Sequence, residues 1–387
     1  MAYPLEGLRV LDISRVLAGP FAARMLADLG ADVVKVEPPD GDTTRLWGAD
    51  IGGNRGYYHQ QNAGKRDICV DLSKPGGAEL IAALAAEADV VIENFRPGVA
   101  DRLGVGYAAL SAANPRLVML SISGFGQEGP ESRRAAFAPI IHAEAGMIAR
   151  AAQVWRQPPV DMVLSVADTN AGLHGLVGLL SALLMRERTG LGQHIDMAMI
   201  DAMLVTDDGL HFDLEDSWET KLLPSEVWDT AAGPVVLSAD FRHIWKLLAS
   251  HFGVKDPSGP GALMDEKVAN RRAVAQAWFK SLPDEAALAA ALDRINVAWG
   301  HVRNAAEMRE QPTVKHRKTI VDIDDRAGGT RPIVQSPYRF SAAESGVRGP
   351  APWQGEHNGE VLRDWLGLGP DEIAAWRGVL VDHQARA

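Results

Sequence analysis

Residues 5–39 read LEGLRVLDISRVLAGPFAARMLADLGADVVKVEPP. LRVLDI (8–13) is a short apolar run. After Gly19-Pro20, FAARMLADLG places apolar residues at helical spacing and stops at Gly30. ADVVKVE then alternates as a strand until Pro38-Pro39 ends it. The strand–helix–strand unit recurs as ICVDL (68–72), the alanine-rich GGAELIAALAAEA and DVVIEN (89–94), with LVMLSIS (117–123) as a further strand. Strands alternating with helices of this length predict an α/β fold, a parallel sheet wrapped by helices.

Downstream the period changes. From about 140 to 205 the pattern is helical, and NAGLHGLVGLLSALLMRERTG is apolar almost all round, which predicts a helix buried between layers. The acidic stretch after 206 reads as a linker, 206–224. Residues 225–320 read as a smaller α+β domain, from the strand-like GPVVLSAD and the amphipathic FRHIWKLLASHFG and RRAVAQAWFKSL. Two more helices, EVLRDWLGL and DEIAAWRGVL, close the chain.

Composition narrows the function. The 387 residues carry 39 Lys plus Arg against 50 Asp plus Glu, a net charge of −11. An acidic chain without basic blocks argues against nucleic-acid binding that rests on neutralising phosphates. A single cysteine, Cys69, excludes a disulfide framework within one chain. The opening MAYPLEGLRV has no apolar signal core, and AGLHGLVGLLSALLM is shorter than the ~20 residues of a membrane span. A cytoplasmic enzyme, not bound to membrane, is the expectation.

Several motifs read as structure rather than chemistry. Gly124-Phe125-Gly126-Gln127-Glu128-Gly129 fits G-x-G-x-x-G, but PESRRA follows it instead of an apolar helix that could hold a pyrophosphate, so a surface turn is expected. Glu37 reads as a solvated strand-end carboxylate. The eleven histidines are scattered and provide no metal-ligand pattern. Asp168, in LSVADTNAGLHGLVGLL, is open to two readings. It can cap the helix that follows, and its carboxylate at a helix entrance can act as a nucleophile beside N–H groups that stabilise an oxyanion.

Six collinear segments resemble the family III CoA-transferases, the group of formyl-CoA transferase, carnitine CoA-transferase and alpha-methylacyl-CoA racemase. They are the opening stretch, GKRDICVDL, VIENFRPGVADRLGVGY, NPRLVMLSISGFGQEGP, VADTNAGLHGLVGLLSALLMRERTGLGQHIDMAMIDA and APWQGEHNGEVLRDWLGL. The resemblance implies a large Rossmann-like CoA-binding domain built from 1–205 and 325–387. It also implies a small domain between them, and two subunits threaded as an interlocked ring-like homodimer. It implies transfer of CoA from an acyl-CoA thioester to a small carboxylic acid through Asp168 as nucleophile, without metal or other cofactor.

By the same resemblance Val16, Leu17 and Ala18 approach the thiol end of CoA. Val70, Asp71, Leu72, Ser73 and Lys74 lie by its adenine and phosphates, with Asn94, Phe95, Arg96 and Arg102 against phosphate and pantetheine. Arg15, Arg134 and His142 are candidates to hold an acceptor carboxylate, and Phe137 belongs to the same substrate pocket. Leu17 stands where formyl-CoA transferase has a glutamine. Phe137 and Ala138 stand where it has a tyrosine and an acid, and no glycine-rich lid is found in 220–235, so oxalate and formyl-CoA are not the implied substrates. Phe137 also occupies the position of the histidine with which the racemases move a proton. The alternatives are a 2-methylacyl-CoA racemase or epimerase and a non-catalytic acyl-CoA-binding protein.

Overall fold

The structure, a computed structural model, describes residues 2–217 and 225–382. It divides into two compact units, 1–207 with 317–387, and 208–316. The acidic stretch 206–224 contains a short helix, Leu210–Leu214, in the second unit. The rest of that stretch from 218, with the start of the 220–235 segment, lies outside the described residues.

The first unit is built on six parallel strands: β1 (Arg9–Asp12), β2 (Asp32–Glu37), β3 (Arg66–Cys69), β4 (Val90–Glu93), β5 (Val118–Ser123) and β6 (His194–Ala198). Their spatial order is β3-β2-β1-β4-β5-β6. Sequence neighbours pair outward from β1, with Val10 facing Val33 on one side and Val90 on the other. Side chains alternate between the faces, so each strand feeds two cores. Val10, Val33, Ile92 and Leu120 join a cluster with Leu26 and Leu176, whereas Leu11, Val34, Val91 and Met119 join one with Leu80, Leu84 and Trp365.

Five helices matter most here: α1 (Ala18–Asp28), α2 (Gly77–Ala86), α3 (Ala138–Glu144), α4 (Val166–Thr189) and α5 (Asn358–Leu366). The glycine-rich run 124–129 is irregular, and the next helix begins only at Ala138, so no helix opens from those glycines. The second unit has its own core, in which Trp228, Leu237, Ile244, Leu248, Phe279 and Leu292 are buried between a three-stranded antiparallel sheet and helices.

Helix α4 departs from the expectation that it is buried all round. Leu173, Val177, Leu180 and Leu184 are exposed along one side, while Ala171, Gly172, Gly175, Leu176 and Leu179 are buried on the other. The buried side approaches α1 closely because glycine lacks a side chain. A Cβ on Gly172 would stand 2.8 Å from the carbonyl oxygen of Ala18 and 3.0 Å from Phe21 Cδ1. Gly172→Ala is therefore expected to destabilise the protein in urea unfolding. An overpacking cost of about 1–3 kcal/mol outweighs the ~1 kcal/mol alanine gains in a helix. Gly178→Ala, whose nearest new neighbour would be Ile195 Cγ2 at 3.4 Å, is expected to be neutral or stabilising in the same assay.

Candidate active site

The order of strands reverses between β1 and β4, and open α/β sheets bind ligands in the crevice beyond the strand ends at such a point. A cleft lies there. Arg15, Val16 and Ala18 from the loop after β1 line it, together with Asn94, Phe95 and Arg96 after β4 and Ser123 and Gly124 at the end of β5. Arg134, Phe137, Asp168 and Met199 complete its wall.

The loop after β1 rests on buried charges. Asp12 accepts from Lys65 Nζ at 2.8 Å, and its other oxygen takes the backbone and hydroxyl donors of Ser14. Lys35 Nζ donates to the Ser14 carbonyl and lies 3.4 Å from Asp42. Asp42 in turn accepts the Val16 N–H at 3.1 Å. Burial pushes Asp12 up, but the charges of Lys65 and Lys35 prevail and hold it below its ordinary value. Burial also drives Lys65 down to about 8, with Asp12 opposing. Val16 sits at φ 68°, a left-handed conformation costly for a β-branched residue. Asn94 fixes the neighbouring peptide from both sides, accepting Arg15 N–H and donating to Arg15 C=O, each at 2.7 Å.

Glu37 is not solvated. It is buried and accepts from Arg45 Nη2 at 2.6 Å, Tyr58 O–H at 2.5 Å and Asp42 N–H at 2.7 Å. It thus extends the same network away from the cleft.

Asp168 is the third residue of α4, not its cap. Ser165 flanks the helix without a side-chain cap bond. The capping acceptor is His142 Nε2, which takes the Ala167 N–H at 3.2 Å while Nδ1 faces Asp161 at 2.8 Å. The Asp168 carboxylate instead lies under the influence of the amides of Ala138 and Ala18, the first residues of α3 and α1, which with its own amide in the first turn of α4 favour its charged form. Three helix N-termini therefore meet at one half-buried carboxylate, an arrangement that favours negative charge. Burial nonetheless pushes its pKa up to about 6, against those amides and the neighbouring His142. The group is thus largely ionised at neutral pH, but weakly enough solvated to react.

The other expected residues fall into place unevenly. Val16, Ala18, Asn94, Phe95 and Arg96 wall the cleft, but Leu17 is turned away and buried. Val70 is also core, bridged to Leu380, so its side chain is not a surface for adenine. Asp71 binds Ser73 in a tight turn, with its carboxylate accepting from Ser73 N–H at 3.0 Å and O–H at 2.6 Å. Lys74 Nζ lies 3.7 Å from Asp71, and Leu72 packs partly buried against the second core. This turn follows β3, beyond the ends of the same parallel strands but outside the cleft. Arg102 is exposed on the short helix Val99–Arg102, also outside the cleft.

Of the proposed carboxylate holders, His142 is fully buried and committed to α4, so it cannot receive a substrate. Arg134 is paired with Glu131 and Glu144, both at 2.6 Å. Phe137 is exposed at the cleft wall. Sequence reading missed Tyr57, whose phenol is pushed up by burial and then by the charges of Asp168 and Asp42. It also missed Met199 at the start of the helix after β6. Neither lies in a motif with chemical meaning of its own. Among the described residues, no group of three or more His, Cys, Asp or Glu could hold a metal ion, and no helix is long and apolar enough to cross a membrane.

Comparison with known proteins decides the family. Residues 5–358 match the family model described as CoA-transferase family III. The chain belongs to the family III CoA-transferases. It is 33% identical to the succinate–glutarate CoA-transferase of Agrobacterium fabrum, covering 93% of this chain and 95% of that one. It is 32% identical to the succinyl-CoA–D-citramalate CoA-transferase of Chloroflexus aurantiacus, over 96% of each. The crystal structure of a CAIB/BAIF family protein from Brucella suis superposes with a TM-score of 0.79 at 33% identity, covering 94% of this chain and 99% of that one.

Two measurements follow for this CoA-transferase. Lys65→Met leaves Asp12 buried without its partner, so a loss of about 3–5 kcal/mol is expected in urea unfolding, much of it recovered in Asp12→Asn/Lys65→Met. Asp168 binds its proton more tightly folded than unfolded, so holding it ionised costs stability. That cost grows as pH rises from 3.8 through about 6 and is complete above. Asp168→Asn is therefore expected to melt at a higher temperature than wild type at pH 8, and the gap should close as pH falls toward 4.

Proposed function

We propose that Asp168 is the nucleophile of CoA transfer from an acyl-CoA thioester to a small carboxylic acid. Its carboxylate attacks the thioester carbonyl, the C–S bond breaks, and a mixed anhydride and CoA thiolate result. The thiolate attacks the aspartyl carbonyl of the anhydride, releasing the donor acid and leaving an aspartyl-CoA thioester. The acceptor carboxylate attacks that thioester and expels the thiolate. The thiolate then attacks the acceptor's acyl carbon, which frees the Asp168 carboxylate. Each step exchanges one activated acyl bond for another of similar energy, so the chemistry needs neither ATP nor metal provided water is excluded.

One observation carries this reading: the amides opening α1 and α3 meet at a half-buried carboxylate in the cleft beyond the strand ends. Donors placed there hold the resting carboxylate and suit an oxyanion on the carbonyl it attacks. The strand order β3-β2-β1-β4-β5-β6, with its reversal beside β1, supports the reading of a Rossmann-like domain with CoA lying across the loops after β1, β3 and β4. Arg96 is the best placed of the candidate phosphate ligands, being exposed at the cleft wall. The relatives named for succinate, glutarate and citramalate favour a short dicarboxylic acid as donor and acceptor.

The reading includes a homodimer of interlocked subunits working in the cytoplasm. The exposed stripe Leu173, Val177, Leu180 and Leu184 supports a partner copy, because an apolar row on a lone soluble chain is unfavourable.

Intact-protein mass spectrometry after incubation with a panel of acyl-CoAs, with hydroxylamine trapping, tests the mechanism. A CoA adduct or hydroxamate on Asp168 is expected in wild type and absent from Asp168→Ala and Asp168→Asn. No adduct with any thioester in wild type would rule out covalent transfer through this residue.

A further inference from the structure

We propose that Arg15 reads the second carboxylate of a dicarboxylic acyl group and so sets the substrate class of the enzyme. The proposal rests on Asp168 being the site of transfer. Four groups around the cleft were open to this task on charge alone, and the structure separates them. His142 is spent on the Ala167 amide and Asp161, and Arg134 is neutralised by two glutamates and lies over the Phe125 ring at 4.7 Å. Arg96 is exposed, a position suited to the solvent-facing phosphates of CoA. Arg15 is half-buried, lines the cleft with Asp168, and its guanidinium has no hydrogen bond or ion pair among the described residues.

A half-buried cation without a counter-ion is costly unless a ligand supplies the anion. The backbone beneath it is held too firmly for this to be idle disorder. Asn94 grips both polar atoms of the Arg15 main chain at 2.7 Å, and the strained Val16 that follows is tied to Asp42 at 3.1 Å. Such strain persists where surrounding contacts over-determine it, and it gathers at functional sites.

Position identifies which anion is meant. Arg15 stands three residues before Ala18, which lines the cleft with Asp168 and whose amide favours the charged form of that carboxylate. Three residues span at most about 10 Å. Arg15 is therefore at the acyl end of the thioester, and the pantetheine arm carries the phosphates of CoA away from it. A short diacid bound at Asp168 by one carboxyl carries its other within reach of the guanidinium, whose fork matches a carboxylate in two parallel hydrogen bonds. Because donor and acceptor acids occupy the same place in turn, one arginine would select both.

The test uses succinyl-CoA and butyryl-CoA, which differ in the terminal carboxylate, as donors to wild type, Arg15→Met and Arg15→Lys. The rate of Asp168–CoA adduct formation is read at subsaturating donor. Wild type is expected to prefer succinyl-CoA. Arg15→Met is expected to lower the succinyl-to-butyryl ratio by about 10- to 100-fold, the loss of one charge-assisted contact. Arg15→Lys is expected to keep part of the ratio, which a merely misfolded variant would not do. A ratio unchanged by Arg15→Met overturns the proposal, whether both rates fall together or neither falls. So does a wild type that prefers butyryl-CoA, or one that forms the adduct only with other acyl groups, although Asp168 chemistry would then stand. Absence of any adduct in wild type with every donor defeats the transfer reading itself.

Discussion

The buried ion pair between Asp12 and Lys65 is the constraint on which the site depends. Both side chains are fully buried, and with Lys35 and Asp42 they bind the Ser14–Val16 segment through its backbone as well as its side chains. Burying such charges is expensive, and they are tolerated because each finds a partner and further hydrogen bonds. What the protein obtains is geometry rather than stability. Val16 is kept left-handed, so the chain turns sharply from the end of β1 into α1 and presents the Ala18 amide to Asp168. Asn94, reaching across from the end of β4, locks the same turn from the other side.

That turn is one of three that converge. α1, α3 and α4 each begin at the cleft, and the amides of Ala18 and Ala138 favour the charged form of the Asp168 carboxylate carried by α4. A helix start has donors without intrahelical partners, so the meeting of three creates a place where an anion is well received. Desolvation works in the opposite direction and wins by enough to hold the carboxyl near 6. The balance leaves a carboxylate that is ionised at neutral pH yet poorly hydrated. His142 contributes from behind by taking the Ala167 amide, which orients the first turn of α4 without entering the cleft.

Close packing of α4 on α1 is the second requirement. The Gly172 position admits the Ala18 carbonyl and the Phe21 ring at distances that a methyl group would obstruct. The glycine is therefore needed for the approach of two helix starts rather than for flexibility. The opposite side of α4 carries the unpartnered apolar row, so one helix serves the site on its buried face and offers a surface on the other.

Much of this was legible in the residues. Apolar runs alternating with helical periods marked the parallel sheet, because strand and helix spacing are local properties of the chain. The absence of a helix after Gly129 was correctly read from PESRRA for the same reason. Asp168 stood out beside a long apolar helix, where pattern left the readings of cap and nucleophile both open; the structure makes it the third residue of that helix and gives the capping role to His142. Other features were decided only in three dimensions. Glu37 looked solvated because its partners, Arg45 and Tyr58, lie on a separate segment that no local period connects to it. Val70 and Leu17 sit inside matching motifs, yet their side chains face the core. His142 and Arg134 offered the right chemistry but are consumed by Asp161, Ala167, Glu131 and Glu144. The sequence by itself determined which elements form and which family they belong to, since both are carried by short-range pattern. Whether a charged group is paired, buried or open to a ligand depends on neighbours distant along the chain, and only the tertiary structure decided it.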